Sequence, residues 1–119
     1  MCGIAGIVGP GAELMGARLQ SMMDSINHRG PDDSGVFIQN QLAIGHKRLS
    51  ILDQSKAGHN PFFSNDKKHV VVYNGEVYNY LELRKQLQSK YLFKTETDTE
   101  VVLAAYIVWG EKCVEKFVG

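Results

Sequence analysis

The nine residues MCGIAGIVG, Met1–Gly9, combine a cysteine at the second position with apolar residues set among three glycines. This pattern predicts a buried β-strand to which another backbone comes close. A small residue at position 2 permits removal of the initiator methionine, after which Cys2 would carry both a thiol and a free α-amine. Such an amine is partly unprotonated near neutral pH and can serve the thiol as a general base. The alternative is that Cys2 is a small buried hydrophobe at the start of an edge strand.

Composition limits the classes of protein that this chain can belong to. Its 119 residues, 44% of them hydrophobic, predict one globular domain. Thirteen basic and thirteen acidic residues cancel, so the net charge gives no reason to expect binding to nucleic acid or to an anionic membrane. No apolar run approaches the roughly 20 residues that a membrane span needs. Two cysteines and four histidines form no disulfide framework and no metal-ligand spacing, which predicts a cytoplasmic chain without a metal site.

Apolar periodicity and turn residues predict helices alternating with hairpins. A helix is expected over Met15–Ile26, and the polar loop His28–Gly35 follows it. One hairpin pairs Val36–Ile38 with Leu42–Ile44, and a second pairs Pro61–Phe63 with His69–Tyr73. Between them a long loop from His46 to about Pro61 is expected, and it is predicted to pack through its apolar residues, Leu49, Ile51 and Leu52.

The last third of the chain predicts three helices. Asn79 with Glu82, and Thr97 with Glu100, have the spacing of a capping box, so a helix is expected to follow each pair. A further short helix is predicted over Glu111–Phe117. The chain ends on an apolar residue and a glycine without a polar tail, which suggests that the domain continues beyond Gly119.

Five motifs occur together in one order: MCGIAGIVG, HRGPDDSG, GHKRLSILD, YNGEVYNYLELR and TETDTEV. Each is weak alone, because Asn-Gly is a common turn and a single cysteine proves little. As a set they resemble the N-terminal glutaminase domain of glutamine-dependent asparagine synthetases. That domain is a class II glutamine amidotransferase of the N-terminal-nucleophile hydrolase family. The forms RGPDDSG and RLSILD are more similar to asparagine synthetases than to other branches of that superfamily.

The resemblance implies an α+β fold of four layers, αββα, with helices outside two stacked, mainly antiparallel sheets. It assigns residues 1–119 to the N-terminal part of the glutaminase domain. The family's domain is longer, so strands that would follow Gly119 are expected to be missing at the C-terminal side. Unpaired sheet edges would then favour self-association, for example as a homo-oligomer.

The substrate that the resemblance implies is L-glutamine. Arg48 is expected to grip its α-carboxylate, which suits a guanidinium because it forms a two-pronged hydrogen bond. Leu49 and Ile51 are expected to add backbone contacts, and Asp98 to receive the α-ammonium, with Glu76 as another acidic contact. Asn74 and Gly75 resemble the oxyanion hole, where an amide side chain and a backbone N–H stabilise the negative oxygen. Arg29 and Asp32 are interpreted as organising the loop near the site.

Each of these residues also has a purely structural interpretation. An arginine in a polar loop is commonly solvated or salt-bridged, and an exposed Glu76 needs no function. Asp98 suits the first turn of a helix through the helix dipole. Asn74-Gly75 is a frequent hairpin turn. The four histidines are expected to be structural or exposed.

The implied reaction is hydrolysis of glutamine to glutamate and ammonia through a thioester on Cys2. In the parent enzymes the ammonia reaches a C-terminal synthetase domain that uses ATP and Mg²⁺ to convert aspartate to asparagine. This chain has no GxxxxGK phosphate loop, so it is expected to hold no cofactor itself. Two alternatives stay open: a non-catalytic module that binds glutamine or a partner, and an amidotransferase domain that serves another acceptor.

Overall fold

The computed structural model describes residues 1–50 and 56–119, which form two compact units. The first unit spans Met1–Pro61 together with Val72–Asn74, and the second spans Phe62–Val71 together with Gly75–Gly119. Helices and antiparallel strands are mixed along the chain, so the expected α+β class is confirmed.

The first unit is built on a three-stranded antiparallel sheet. Its strands are β1 (Gly3–Val8), β2 (Asp33–Gln39) and β3 (Leu42–Arg48), arranged in the order β1-β3-β2. A two-residue turn joins β2 to β3, and Asn40 adopts φ of 53° there, a left-handed conformation that asparagine tolerates. The predicted hairpin is therefore confirmed, with β3 as its central strand.

Helix α1 (Gly16–Ser25) covers one face of this sheet, which confirms the predicted helix. Leu19 and Met23 of α1 are buried against Ala5 and Ala43 of the strands. Gly45 lies directly under the Met23 side chain, where a Cβ would meet the sulfur. Small strand residues therefore let the helix pack closely on the sheet. Single turns of 3₁₀ helix occupy Ala12–Leu14, Asn27–Arg29 and Lys56–Gly58.

Two expectations for these strands are wrong. Ile4 and Val8 were expected to be buried, but they are 44% and 79% exposed, because alternate residues of a strand face opposite sides and α1 covers the other side. The loop expected to begin at His46 begins later, since β3 continues to Arg48. Pairing of Lys47 with Gly3 of β1 extends that strand, and local sequence does not encode this contact.

The second unit contains the other predicted hairpin, in a shorter form. Strands β4 (Phe62–Phe63) and β5 (Val70–Val71) pair antiparallel over two residues each. Ser64 closes the connection, since its hydroxyl donates to Asp66 at 2.7 Å and accepts from the His69 N–H at 3.0 Å. The pairing is confirmed, although the second strand is shorter than the predicted His69–Tyr73.

Helices α2 (Tyr80–Leu87) and α3 (Asp98–Trp109) pack together in this unit, and a 3₁₀ segment spans Gly110–Lys116. The buried residues that form their core are Leu83, Leu87, Val101, Leu103, Ala104 and Ala105. Both predicted helices are confirmed, and the predicted third one is 3₁₀ helix rather than α-helix. In residues 1–50 and 56–119, no helix combines the length and apolarity required to cross a membrane.

The two predicted helix caps differ. Thr97 caps α3 as expected, because its hydroxyl accepts the Glu100 N–H at 3.3 Å. Asn79 makes no such bond to α2, so that prediction is wrong. Its side chain instead donates to the Lys116 carbonyl at 2.9 Å and accepts the Val118 N–H at 3.0 Å. Asn79 thus anchors the end of the chain rather than the start of the helix.

Candidate active site

Cys2 lies immediately before β1, in the first unit, and is half-buried. It lines an open cavity of about 420 Å³. The other residues that line this cavity are Gly3, Ile4, Ile26, Arg29 and Asn74. Cys2 therefore borders an open space large enough for a small molecule, together with Arg29 and Asn74.

Two hydrogen bonds hold Cys2 in place. The Leu49 N–H donates to Cys2 Sγ at 3.5 Å, and Arg29 Nε donates to the Cys2 carbonyl oxygen at 3.2 Å. The expected backbone contact of Leu49 with substrate stays a prediction, and its N–H is directed at the sulfur. The adjacent Gly3 leaves room for Ile26, since a Cβ there would come within 2.9 Å of Ile26 Cδ1. Both ends of the cysteine are thus fixed by the surrounding chain.

The polar loop before β2 connects to the segment after β3. Asp32 donates its backbone N–H to the Arg48 carbonyl at 3.1 Å and accepts the Ser50 N–H on Oδ2 at 2.7 Å. The interpretation of Arg29 and Asp32 as residues that organise the loop near the cysteine agrees with these contacts.

Arg48 is half-buried at the end of β3, one residue beyond the pair that joins Lys47 to Gly3. Its guanidinium lies against Gly58, where a Cβ would collide with it. His59 next to that glycine contacts Asp33, with 2.7 Å between His59 Nδ1 and Asp33 Oδ2. Burial alone would raise the pKa of Asp33, but the hydrogen bond and charge of His59, together with the Ser34 N–H and the charge of Arg48, lower that pKa. The Arg48 guanidinium therefore packs at Gly58, and Arg48 is near enough to Asp33 for its charge to lower the pKa of that carboxyl.

His46 was expected only to be structural or exposed, and the structure gives it a specific contact. It is only 1% exposed, and its Nε2 lies 2.9 Å from the Tyr73 carbonyl oxygen. A carbonyl only accepts, so Nε2 carries the proton, and Nδ1 has no hydrogen-bond partner within the described residues. Burial lowers the pKa of His46, which favours this neutral form. One feature of the sequence could have pointed to His46. In the stretch GHKR, His46 and Arg48 are two positions apart, so in a strand they lie on the same face.

Asn74, the expected oxyanion donor, is exposed and lines the same cavity as Cys2. Gly75 and Glu76 are also exposed, and they belong to the second unit. Ile51 lies outside the described residues. The structure therefore brings together Cys2, Leu49 and Asn74 within one unit, which also contains Arg48.

Asp98 is the first residue of α3 in the second unit and is half-buried. Its Oδ2 accepts the Val77 N–H at 3.2 Å. Glu100, fully buried one position after Thr99, accepts the Lys94 N–H at 3.0 Å and the Thr95 N–H at 2.6 Å. These contacts fix the chain on both sides of Asp98.

Residues 1–50 and 56–119 contain no group of three or more histidine, cysteine or acidic side chains placed to hold a metal ion. The expectation that the chain binds no metal or cofactor stays a prediction. Within the described residues, Cys2, Arg29 and Asn74 border one cavity, and a partly accessible thiol of this kind can in general act as a nucleophile.

The chain belongs to the glutamine amidotransferase domain family, whose model matches residues 1–119. The resemblance inferred from the five motifs is thereby confirmed.

Named relatives are glutamine-hydrolysing asparagine synthetases. Asparagine synthetase 1 of Bacillus subtilis is 37% identical over 124 residues, and asparagine synthetase B of Escherichia coli is 36% identical over 121 residues. A relative from Methanocaldococcus jannaschii, provisionally named asparagine synthetase 2, is 41% identical over 137 residues. Each match covers 100% of this chain but only 20%, 22% and 26% of the respective relative. The chain thus spans about a quarter or less of the length of the curated relatives it matches.

Proposed function

We propose that this chain hydrolyses the side-chain amide of L-glutamine to glutamate and ammonia, with Cys2 as the nucleophile. The observation that carries the proposal is the shared cavity, where Cys2 and Asn74 line one open space of about 420 Å³. Membership of the glutamine amidotransferase domain family supplies the substrate class. The proposal requires Cys2 to be the first residue of the mature chain.

The first chemical step forms a bond between the sulfur and the amide carbon. The free α-amine of Cys2 takes the thiol proton, and the thiolate attacks the side-chain carbonyl of glutamine. The Leu49 N–H, 3.5 Å from Sγ, is a donor that would hold the sulfur for this attack. Arg29 fixes the carbonyl of the same residue, so attack can proceed from one defined position.

The carbonyl oxygen becomes negative as the tetrahedral intermediate forms. In the proposal, the Asn74 side-chain amide and the Gly75 backbone N–H donate to that oxygen. The protonated α-amine then transfers its proton to the departing nitrogen, the C–N bond breaks and ammonia leaves. Water attacks the resulting glutamyl thioester, which releases glutamate and returns the thiol.

In the proposal, charged side chains orient the substrate by binding the α-carboxylate and the α-ammonium of glutamine. Arg48 would bind the α-carboxylate, and the close approach of Gly58 keeps its guanidinium half-buried. Asp98 would receive the α-ammonium, with Glu76 as a second acidic contact. The parts of Gly75, Glu76, Asp98 and Ile51 in this proposal rest on the motifs that contain them.

The wider role of the reaction follows from the named relatives. We propose that the ammonia serves asparagine synthesis from aspartate by an ATP- and Mg²⁺-dependent synthetase domain, in the cytoplasm. The finer fold assignment, a four-layer N-terminal-nucleophile sandwich, belongs to the same proposal. Its support is family membership together with the apolar side chains of Ile4 and Val8 on the open face of the sheet.

The test compares two preparations of the chain that differ only at the N-terminus. Expression with an inhibitor of methionine aminopeptidase retains Met1, and treatment of half of that sample with purified aminopeptidase exposes Cys2. Glutamate release is measured with a coupled dehydrogenase assay, and intact mass confirms each N-terminus. We expect turnover only in the sample whose first residue is Cys2, because an amide nitrogen cannot act as a base. Equal turnover in both samples would contradict the proposal.

A further inference from the structure

His46 connects the central strand of the first unit to the residue before Asn74. It lies on β3 opposite both Ile4 of β1 and Gly35 of β2, so its backbone is held on two sides. Its Nε2–H donates to the Tyr73 carbonyl oxygen at 2.9 Å in a site where the imidazole is 1% exposed. Buried hydrogen bonds from a rigid strand are well suited to fix a less regular segment.

The segment that receives this bond needs such an anchor. Residues 72–74 adopt neither helix nor strand, and Asn74 at their end is exposed. The Tyr73 carbonyl and the Asn74 N–H belong to one planar peptide unit. Fixing the carbonyl oxygen therefore fixes the plane from which the Asn74 Cα and side chain project.

We propose that His46 is a positioning residue that sets the orientation of Asn74 by holding the carbonyl of Tyr73. This inference rests on the proposed function, because it takes Asn74 to stabilise the oxyanion. In the proposed arrangement His46 itself contacts neither the substrate nor the sulfur. Its effect passes through one peptide plane to the amide that faces the cavity.

Glutamine and asparagine give a matched pair of substitutions at this site. The amide nitrogen of glutamine reaches about as far as Nε2, whereas that of asparagine reaches only as far as Nδ1. His46→Gln therefore keeps a donor for the Tyr73 carbonyl, and His46→Asn removes it while remaining polar. His46→Leu also lacks a donor and is of similar bulk, so the comparison stands even if His46→Asn fails to fold.

The kinetic experiment measures kcat and KM for glutamine in the full chain and its variants. We expect His46→Asn to lower kcat by about 10- to 100-fold with KM within about twofold, because a displaced donor acts only on the transition state. His46→Gln should stay within about threefold of the parent in kcat. The double variant with Asn74→Ala should lose no more than Asn74→Ala alone, since His46 acts through Asn74. Equal losses for the Gln and Asn variants, or additive losses in the double variant, would overturn the inference.

A measurement independent of turnover separates this inference from the proposed function. In ¹⁵N NMR of the full chain, the His46 imidazole should carry its proton on Nε2. The order parameter of the Asn74 amide should fall in His46→Asn or His46→Leu and be kept in His46→Gln. An unchanged order parameter in the variants without a donor would overturn the positioning role. Kinetics that show no turnover in the parent would count against the proposed function alone.

Discussion

The two cysteines of the chain stand in opposite surroundings. Cys2 is half-buried, lines an open cavity and receives the Leu49 N–H on its sulfur. Cys113 is 3% exposed within the 3₁₀ segment after α3, and burial raises the pKa of its thiol. The same side chain is therefore partly accessible beside a cavity in one unit and buried in the core of the other, and only the first is the nucleophile in the proposed function. Access and neighbouring donors, rather than residue type, separate a nucleophile from a core residue.

The largest expected difference is in catalysis. Cys2→Ala should reduce glutamate release by at least about 1,000-fold, because the covalent intermediate cannot form. Cys113→Ala should keep kcat/KM within about twofold, since that thiol has no part in the proposed mechanism. The measurement is the coupled glutamate assay on both variants side by side. Comparable losses in both would remove the distinction between the two thiols.

A smaller effect is expected from the residue that holds Cys2. Arg29→Leu removes the guanidinium bond to the Cys2 carbonyl, and Arg29→Gln offers an amide donor in its place. A hydrogen bond from a charged group is worth about 1.5–3 kcal/mol, so kcat/KM should fall about tenfold or more in Arg29→Leu. The alkylation rate of Cys113 should not change. An unaltered kcat/KM in Arg29→Leu would show that this contact does not position the nucleophile.

For stability, we expect the substitution of Cys113 to have the larger effect and the substitution of Cys2 the smaller one. Cys113→Ala removes a buried sulfur and should lower the free energy of unfolding by about 1 kcal/mol. Cys2→Ala should cost under about 0.5 kcal/mol, because the Cys2 side chain borders open space. Urea denaturation of the two variants and the parent gives these values. A larger loss for Cys2→Ala would mean that Cys2 is chiefly structural.

The smallest effect concerns pH and the unit that contains Cys2. Burial lowers the pKa of His46, so the unfolded chain binds the proton more readily than the folded one. Stability from this residue is fully present above the ordinary histidine range, near about pH 6.5, and declines as the pH falls below it. The hydrogen bond to the Tyr73 carbonyl and the charge of Asp33 oppose this shift in pKa, while Arg48 and His59 add to it. The parent should therefore lose urea resistance relative to His46→Gln between about pH 7.5 and pH 5. A constant difference between the two would contradict the buried neutral imidazole.

Local signals in the sequence predicted some elements and missed others for clear reasons. The cap at Thr97 was predictable because its partner, Glu100, lies three residues away. The same signal at Asn79 failed because the side chain bonds to Lys116 and Val118, more than 35 residues along the chain. The length of β3 and the exposure of Ile4 depend on which strands pair and which face α1 covers. Both features depend on contacts between residues far apart in the sequence, which local periodicity does not reveal.

In the candidate site, too, some features were predictable from local sequence and others depend on contacts between distant residues. Motifs identified Cys2, Arg48 and Asn74, and the structure places all three in one unit. The contact of His46 with the Tyr73 carbonyl links residues 27 positions apart, so the sequence offered only the strand-like spacing of His46 and Arg48. The Leu49 N–H on the sulfur is a backbone contact, and residue type does not encode it. The roles of these residues, like those of Gly75, Glu76, Asp98 and Ile51, stay predictions from the motifs.

The most direct test of the central claim uses a glutamine-mimicking diazo-ketone, which alkylates a nucleophile that recognises glutamine. Intact and peptide mass spectrometry after exposure, with and without excess glutamine, locates the adduct. We expect a single adduct on Cys2, formed only in chains that lack Met1 and suppressed by glutamine. An absence of labelling at Cys2 in chains shown to lack Met1, or equal labelling of Cys113, would contradict it.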